Sequence, residues 1–581
     1  MKFGSLLVAN RGEIALRVMR TAKRMGLRTI AVYSDADRDA PHVRAADSAV
    51  HIGGSPPKES YLNIEAILRA EGDAVHPGYG FLSENAGFSE QVQKSGRVWI
   101  GPPPSAIRSM GDKANAKAIA AKAGVPILPT YDKSPQFPLM IKALAGGGGR
   151  GMRLVRSKDE LATALKSAQS EAEHSFGDPR VLLEKALLAP RHVEVQIFAD
   201  SHGNCIHLGE RDCSVQRRHQ KLVEESPSTA VDARLRAAMG EAAIKAARAV
   251  GYVGAGTVEF LLEGGKFWFM EMNTRLQVEH PVTEAITGLD LVEWQLRVAA
   301  GEPLPAKQED IRFSGHSIEV RLCAEDPERN FLPQAGKLAL WRPSAAVRVD
   351  HALESGMAIS PFYDSMIAKL IVHAPTRDEA RANLAAALDE TLALGICTNK
   401  AFLAAVLRNG DFGAGKATTG FLSNFRFESA KPDLAKAASL LAADYGEWTG
   451  WSNNPFHQSR AKFGDSVLAF TPIRANQIHV VEGDTVHFDG FSLRNSLYDP
   501  PEKKGAGTSD GRLVAPMNGR VVAVNAKAGD RIEANQALVV LEAMKMEHGL
   551  DLPFAVKVKA VHAKAGDQVA PGKLLIEFEP A

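Results

Sequence analysis

Gly256-Thr257-Val258-Glu259-Phe260-Leu261-Leu262-Glu263-Gly264-Gly265-Lys266-Phe267-Trp268-Phe269-Met270-Glu271-Met272-Asn273 is a pair of β-prone runs joined at two glycines, which reads as a β-hairpin. Period-two alternation puts Glu271 and Asn273 on one face. If the loop is the three residues Glu263-Gly264-Gly265, Glu259 lies opposite Phe269 and diagonal to Glu271, on that same face. A two-residue loop would put Glu259 on the other face. Two carboxylates within a few ångströms repel unless a cation sits between them, and Mg²⁺ with phosphate oxygens relieves that repulsion. Glu259, Glu271 and Asn273 are therefore candidate metal ligands. A solvated hairpin face is the plainer alternative, opposed by the apolar flank Phe267-Trp268-Phe269.

The residues that follow extend the charged pattern. In Arg275-Leu276-Gln277-Val278-Glu279-His280-Pro281, continued alternation aims Arg275, Gln277 and Glu279 to one side: a cation, an amide and a base, able to hold and deprotonate a small oxyanion such as bicarbonate. In Ser317-Ile318-Glu319-Val320-Arg321-Leu322 the apolar residues read as a core face and Arg321 points away from it. Upstream, Pro138-Leu139-Met140-Ile141-Lys142-Ala143 precedes Gly146-Gly147-Gly148-Gly149-Arg150-Gly151. Successive glycines let backbone N–H groups approach phosphate oxygens and give a closing lid its hinge. The loop lacks the Gly-Lys-Ser/Thr of a Walker A motif and the helix-opening G-x-G-x-x-G.

Around this centre, residues 1–101 alternate short β-branched runs (6–9, 29–33, 98–100) with helical patterns such as 14–25, the signature of βαβ units. A helix is expected over 113–123, and a second α+β region continues to about 445. With 581 residues, 45% hydrophobic and 24% charged, the chain has room for several globular domains. Its net charge of +1 gives no overall field for nucleic acid or an anionic membrane. Four scattered cysteines fit a reducing compartment. The first residues carry an apolar run of only 6–9, too short for a signal peptide, and no 18-residue apolar stretch follows. A cytoplasmic, bacterial protein is expected, with the mitochondrial matrix open if a transit peptide is removed.

The last seventy residues repeat themselves. Ala526-Lys527-Ala528-Gly529-Asp530 recurs as Ala563-Lys564-Ala565-Gly566-Asp567, 37 residues later (526 to 563), and a short strand is expected after each copy, at 537–541 and 574–578. Two similar halves should pack as a flattened β-barrel about a pseudo-twofold axis. Between the copies lies Glu542-Ala543-Met544-Lys545-Met546-Glu547, with Lys545 at an expected tight turn. Residues 448–509 read as a small β-rich module with strands near 477–481 and 485–488, followed by the linker Pro500-Pro501-Glu502-Lys503-Lys504-Gly505.

These motifs resemble the biotin carboxylase component of acyl-CoA carboxylases, an ATP-grasp family, over about residues 1–425. The resemblance rests on Asn10-Arg11-Gly12-Glu13-Ile14-Ala15, His76-Pro77-Gly78-Tyr79-Gly80-Phe81-Leu82-Ser83-Glu84-Asn85 and Glu210-Arg211-Asp212-Cys213-Ser214-Val215-Gln216-Arg217-Arg218-His219-Gln220-Lys221. Ala543-Met544-Lys545-Met546, with Ala515-Pro516-Met517 and Gly519 upstream, resembles a biotin carboxyl carrier domain. The resemblance implies ATP contacts from Lys113, Lys142, Gly147, Gly148, His192, Gln216 and His219, with Glu184, Lys185 and Leu187 around the adenine. It implies Mg²⁺ or Mn²⁺ on Glu259, Glu271 and Asn273, and bicarbonate on Arg275, Gln277 and Val278 with Glu279 as base. Lys221 would act at the transferring phosphate, Arg321 would stabilise the biotin enolate beside Tyr79, and Lys545 would carry biotin. Cys213 reads as packing.

The implied architecture is a mixed α/β and α+β multidomain chain. An N-terminal domain would span 1–112, a mobile ATP-grasp lid 113–202, the rest of the carboxylase 203–445, a small subunit-docking module with its linker 446–509, and the carrier 510–581. Implied partners are a carboxyltransferase (beta) subunit and a biotin ligase. The plan resembles the biotin-containing subunit of methylcrotonyl-CoA or geranyl-CoA carboxylase, with propionyl-CoA, acetyl-CoA and two-subunit pyruvate carboxylase as alternatives. The family's segments at 132–137 and 448–509 are longer than those here.

Overall fold

The computed structural model describes residues 2–131, 135–144, 152–176, 178–218, 220–444, 459–470, 478–497, 511–543 and 546–580. The N-terminal strands form a parallel five-stranded sheet in the spatial order Ser48–Gly53, Arg28–Ser34, Ser5–Val8, Ala74–His76, Val98–Trp99. The helix Gly12–Arg24 covers it, burying Ile14, Ala15, Val18, Met19 and Ala22 at the three- and four-residue spacing of one helical face. Strand order reverses between Ser5–Val8 and Ala74–His76, and at that switch point the carboxyl ends open a crevice. Asn10 clamps its two sides, donating from Nδ2 to the carbonyls of Pro77 at 2.7 Å and Tyr79 at 2.8 Å. Gly78 follows at φ +62°, where an added Cβ would meet the Asn10 amide at 2.8 Å, so glycine is needed for the clamp to close.

The largest sheet has eight strands in the order Lys266–Asn273, Gly254–Glu263, Arg191–Ala199, Cys205–Arg217, Gln220–Ser226, His316–Cys323, Met366–Ala374, Arg348–His351. All its pairings are antiparallel. Val193, Val195, Ile197, Val258, Phe260 and Leu262 pack with residues of the helix Ala233–Ala249. Further along, Ile318, Val320, Leu322, Ala368 and Leu370 pack with residues of Arg377–Glu390 and Lys400–Arg408. A three-stranded sheet of Arg153–Val155, Leu139–Ala143 and Val181–Lys185, with the helix Lys158–Phe176, forms the segment expected to be the lid. Its fully buried cluster is small: Leu139, Ile141, Val155 and Ala168.

The strands Ser459–Phe463, Ser466–Phe470, Val480–Glu482, Thr485–Phe488 and Phe491–Arg494 form the small module. Ala461, Phe463, Val486 and Phe488 pack on Ala437, Ala438, Leu440 and Leu441 of the helix Leu434–Asp444. The module's core therefore begins before residue 446, because this helix buries its apolar side on those strands.

The C-terminal strands form two four-stranded sheets. Their construction is symmetric: Gly529 N–H bonds the Val558 carbonyl and Gly566 N–H bonds the Val521 carbonyl, both at 2.8 Å. Each repeat thus ties its turn to the other repeat's strand. Asp530 and Asp567 accept from the backbone N–H of Lys527 and Lys564 at 2.8 and 3.0 Å, closing equivalent turns. Ala543 pairs with Met546 across the central hairpin; Met544 and Lys545, the expected attachment site, lie outside the described residues.

Candidate active site

The predicted hairpin forms, but its loop is Gly264-Gly265, two residues at φ +59° and +73°, with Glu263 paired to Lys266. On that register alone Glu259 would face away from Glu271. A β-bulge after the Phe260–Phe269 pair restores the face and brings Glu259 directly opposite Glu271. The three-residue loop expected from the sequence is thus wrong, and the convergence of the two carboxylates comes from the bulge.

Cross-strand pairing extends this pair into a band of buried charge. Glu259 pairs with Glu194, and Glu194 with Arg211. Further on, Glu224 pairs with Glu319, Arg321 with Lys369, and Lys369 with Asp350. Arg211 is fully buried and spends all five N–H donors: on Glu194 (2.5 Å), Gln196 (2.8 Å), Thr283 (3.0 Å), Thr257 (3.0 Å) and Gln277 (3.3 Å). Lys221 Nζ reaches Glu194 at 2.5 Å, Glu279 at 2.6 Å and Glu259 at 2.8 Å. Arg321 holds Glu224 at 2.6 Å and Glu279 at 3.0 Å.

The electrostatics follow from these distances. Burial pushes the Glu279 carboxyl up, but Lys221, Arg321 and Arg211 outweigh it and hold Glu279 well below the usual carboxylate range. Glu259 is likewise held down, by Lys221 and His192 against burial, and its His192 contact is 2.8 Å. Glu271 goes the other way: burial and the facing Glu259 raise it, outweighing Lys113 at 3.8 Å and His192. Cys213 is pushed well up by burial and Glu194, so its thiol stays protonated.

One cavity of about 390 Å³ is lined by Lys113, Lys142, Glu184, Lys185, Leu187, His192, Gln216, Lys221, Glu259, Glu271, Asn273, Arg275, Gln277, Val278, Glu279 and Arg321. Leu128, Met140, Leu261 and Met270 add apolar walls. Lys142 and Lys117 both pair with Glu184, Lys142 at 2.7 Å. A second cavity of about 280 Å³, at the switch point, is lined by Tyr79 with Asn10, Arg11 and Glu13 and shares Arg275, Val278 and Arg321 with the first. Gly147, Gly148 and His219 lie outside the described residues. Residues 274–279 are not a continuing strand; they run irregularly into the helix His280–Thr287, yet Arg275, Gln277 and Glu279 still face the one cavity.

Four segments match known families: residues 2–107 "Biotin carboxylase, N-terminal domain", 103–307 "Carbamoyl-phosphate synthase L chain, ATP binding domain", 319–424 "Biotin carboxylase C-terminal domain" and 511–578 "Biotin-requiring enzyme". The methylcrotonoyl-CoA carboxylase alpha subunit of Rattus norvegicus is 42% identical over 94% of this chain and 89% of its own. The chain belongs to the biotin-containing subunits of acyl-CoA carboxylases. The propionyl-CoA carboxylase alpha chain of Ruegeria pomeroyi is also 42% identical, over 94% of this chain and 95% of its own. Among solved structures, a biotin carboxylase-beta-gamma-ATP complex from Campylobacter jejuni is 47% identical with a TM-score of 0.70, covering 73% of this chain and 99% of that one. The alignment with the rat subunit runs over 641 positions, more than the 581 residues present, so that relative carries internal segments absent here. This carboxylase subunit is thus an ATP-dependent biotin carboxylase joined to a carrier domain.

Several of its site residues escaped the sequence reading. Glu194 sits in Arg191-His192-Val193-Glu194-Val195-Gln196-Ile197, where polar residues alternate with buried valine and isoleucine; that alternation was a usable signal. Glu84, which takes Arg275 at 2.8 Å, and Arg211 lie inside the family strings, but their partners are distant in sequence. Among the described residues no helix is long and apolar enough to cross a membrane.

Proposed function

We propose that the chain uses ATP and bicarbonate to carboxylate biotin attached to Lys545, and that a carboxyltransferase (beta) subunit then transfers the carboxyl group to an acyl-CoA. The observation that carries this is the meeting of Lys221 and Arg321 on Glu279, in a cavity whose other wall holds Glu259 facing Glu271. Arg275, Gln277 and the Val278 backbone bind bicarbonate, and Glu279 takes its proton. Without substrate Glu279 is clamped between two cations. When phosphate draws Lys221 away and the substrates draw Arg321, the clamp loosens and the carboxylate gains proton affinity where the proton must go.

Glu259, Glu271 and Asn273 supply hard oxygen donors, and the repulsion between the facing Glu259 and Glu271 is what a divalent cation would relieve. Mg²⁺ or Mn²⁺ there supplies charge neutralisation for the ATP phosphates. Lys113 and Lys142, with Gly147, Gly148, His192, Gln216 and His219, hold the nucleotide, and Glu184, Lys185 and Leu187 line the adenine end. Biotin supplies the ureido nitrogen that takes the carboxyl group; Tyr79 and Arg321 orient it where the two cavities meet. A biotin ligase modifies Lys545.

For the acyl group, the methylcrotonyl-CoA or geranyl-CoA type is the first reading. Propionyl-CoA is the second, favoured by the equal identity of that relative. Glu279→Gln keeps shape and removes the base: bicarbonate-dependent ATP cleavage should fall by about 10²- to 10⁴-fold while nucleotide affinity stays near that of the parent. A variant with near-normal turnover would remove Glu279 from the chemistry.

A further inference from the structure

Behind the segment that carries Val278 and Glu279 lies a lysine that none of the above uses. Lys369 is 0% exposed. Its strand, Met366–Ala374, sends Ala368, Leu370 and Val372 into the apolar core, so alternation turns Lys369 to the charged side. There its Nζ donates to the Val278 carbonyl at 2.8 Å and lies 3.5 Å from Glu13 of the N-terminal helix. The neighbouring carbonyl, that of Gln277, is held by the His280 backbone N–H and ring at 3.3 and 2.8 Å. With residues 274–279 outside any sheet ladder, these side-chain and cap contacts fix the path of the segment between Arg275 and Glu279.

Stability alone does not account for a lysine at this position. Its backbone pairs directly with that of Arg321, setting two cations opposite each other. Its countercharges are themselves buried: Glu13 and Asp350 are 8% and 2% exposed, and the carboxylate oxygens of both Glu13 and Glu319 are buried with no hydrogen-bond partner among the described residues, the contact of Glu13 with Lys369 being an ion pair. Replacing such a cluster with well-packed apolar side chains is often neutral or stabilising, so a buried ion pair is weak evidence of a stabilising role. What an apolar residue cannot do is hold the Val278 carbonyl.

We propose that Lys369, with Glu13 as its countercharge, is a positioning residue for bicarbonate: it fixes the Val278 carbonyl and thereby the placement of Glu279 against the bound anion. Glu13 comes from the N-terminal domain and Lys369 from the far end of the eight-stranded sheet, so the pair also locks the two walls of the switch-point cavity together at the bicarbonate segment. The inference rests on the reading of Val278 and Glu279 given above.

The test compares the full biotinylated chain with Lys369→Met and with the double variant Glu13→Gln/Lys369→Met, following bicarbonate-dependent ATP cleavage and thermal unfolding. Lys369→Met should raise the bicarbonate KM and lower kcat/KM for bicarbonate by roughly 10- to 100-fold, the scale of a small misplacement of reacting groups. The KM for ATP should change by less than about twofold, because Lys369 touches none of the nucleotide wall. Lys369→Met should also melt earlier, since Glu13 is left buried without its cation. The double variant removes both charges and should recover much of that melting temperature while keeping the bicarbonate defect, because the carbonyl still lacks its donor. If Lys369→Met does not fold, the double variant alone decides. Unchanged bicarbonate kinetics in a folded variant, or a double variant that regains both stability and bicarbonate kinetics, would overturn the proposal. A near-normal Glu279→Gln would instead undo the reading beneath it, so the two failures are distinguishable.

Discussion

The eight-stranded sheet and the C-terminal sandwich are both antiparallel β structures, yet they put chemistry in opposite places. The large sheet buries its working groups on its own face, where Glu194, Arg211 and Glu319 are 0% exposed. The sandwich core is built of apolar residues, among them Val521, Leu541, Val558 and Ile576, with one buried histidine, His548, and the lysine proposed to carry its function lies in the sequence between the paired residues Ala543 and Met546. A carboxylation site must keep charges fixed and water out, so its residues become part of the core and are hard to change one at a time. A carrier must present one group to separate sites, so its reactive residue is best placed where the core does not depend on it.

The sharpest way to break this contrast is Lys545→Arg. Biotin incorporation should vanish from streptavidin blots and intact mass, with an unchanged melting temperature, since one cation is exchanged for another. Persisting biotin would move the attachment site; a large loss of stability would show that the tip belongs to the core.

Arg211→Met is the counterpart in the large sheet. It leaves Glu194 buried beside Lys221 alone and strands several acceptors, so denaturant unfolding should register a loss of about 3–5 kcal/mol, with biotin carboxylation lost as well. A stability change under about 1 kcal/mol would mean that the buried charges are not structural.

The smallest effect is expected where the small module meets the carboxylase body. Lys337 bonds Glu482 of the small module at 2.6 Å, but the lysine is 56% exposed. Lys337→Ala should alter stability by only about 0.2–1 kcal/mol in the same denaturant measurement, and less at high salt. A larger effect would give this ion pair a role in holding the module to the carboxylase body.

The two regions also differ in how far the sequence could be read. The carrier is built by repetition: the Ala-Lys-Ala-Gly-Asp copies at 526 and 563 state the symmetry outright, and the bonds between Gly529 and Val558 and between Gly566 and Val521 realise it. In the large sheet, local alternation was enough to put Glu271 with Asn273 and to turn Arg321 away from the core. The bulge that seats Glu259 was not legible, because period-two alternation carries no mark of an inserted residue. Nor was the meeting of Lys221 with Glu194, Glu259 and Glu279, or of Lys369 with Val278, since these contacts span 27 to 91 residues of chain. Alternation tells which way a side chain points, and only the assembled sheet tells what it meets.

The central claim is that this chain completes one half-reaction and hands on its product. The most direct measurement supplies the purified, biotinylated chain, free of other subunits, with MgATP, labelled bicarbonate and a panel of acyl-CoA thioesters. Label should accumulate on the biotin of Lys545 and reach an acyl-CoA only after a carboxyltransferase subunit is added. No label on the chain, or labelled acyl-CoA without the second subunit, would contradict the account.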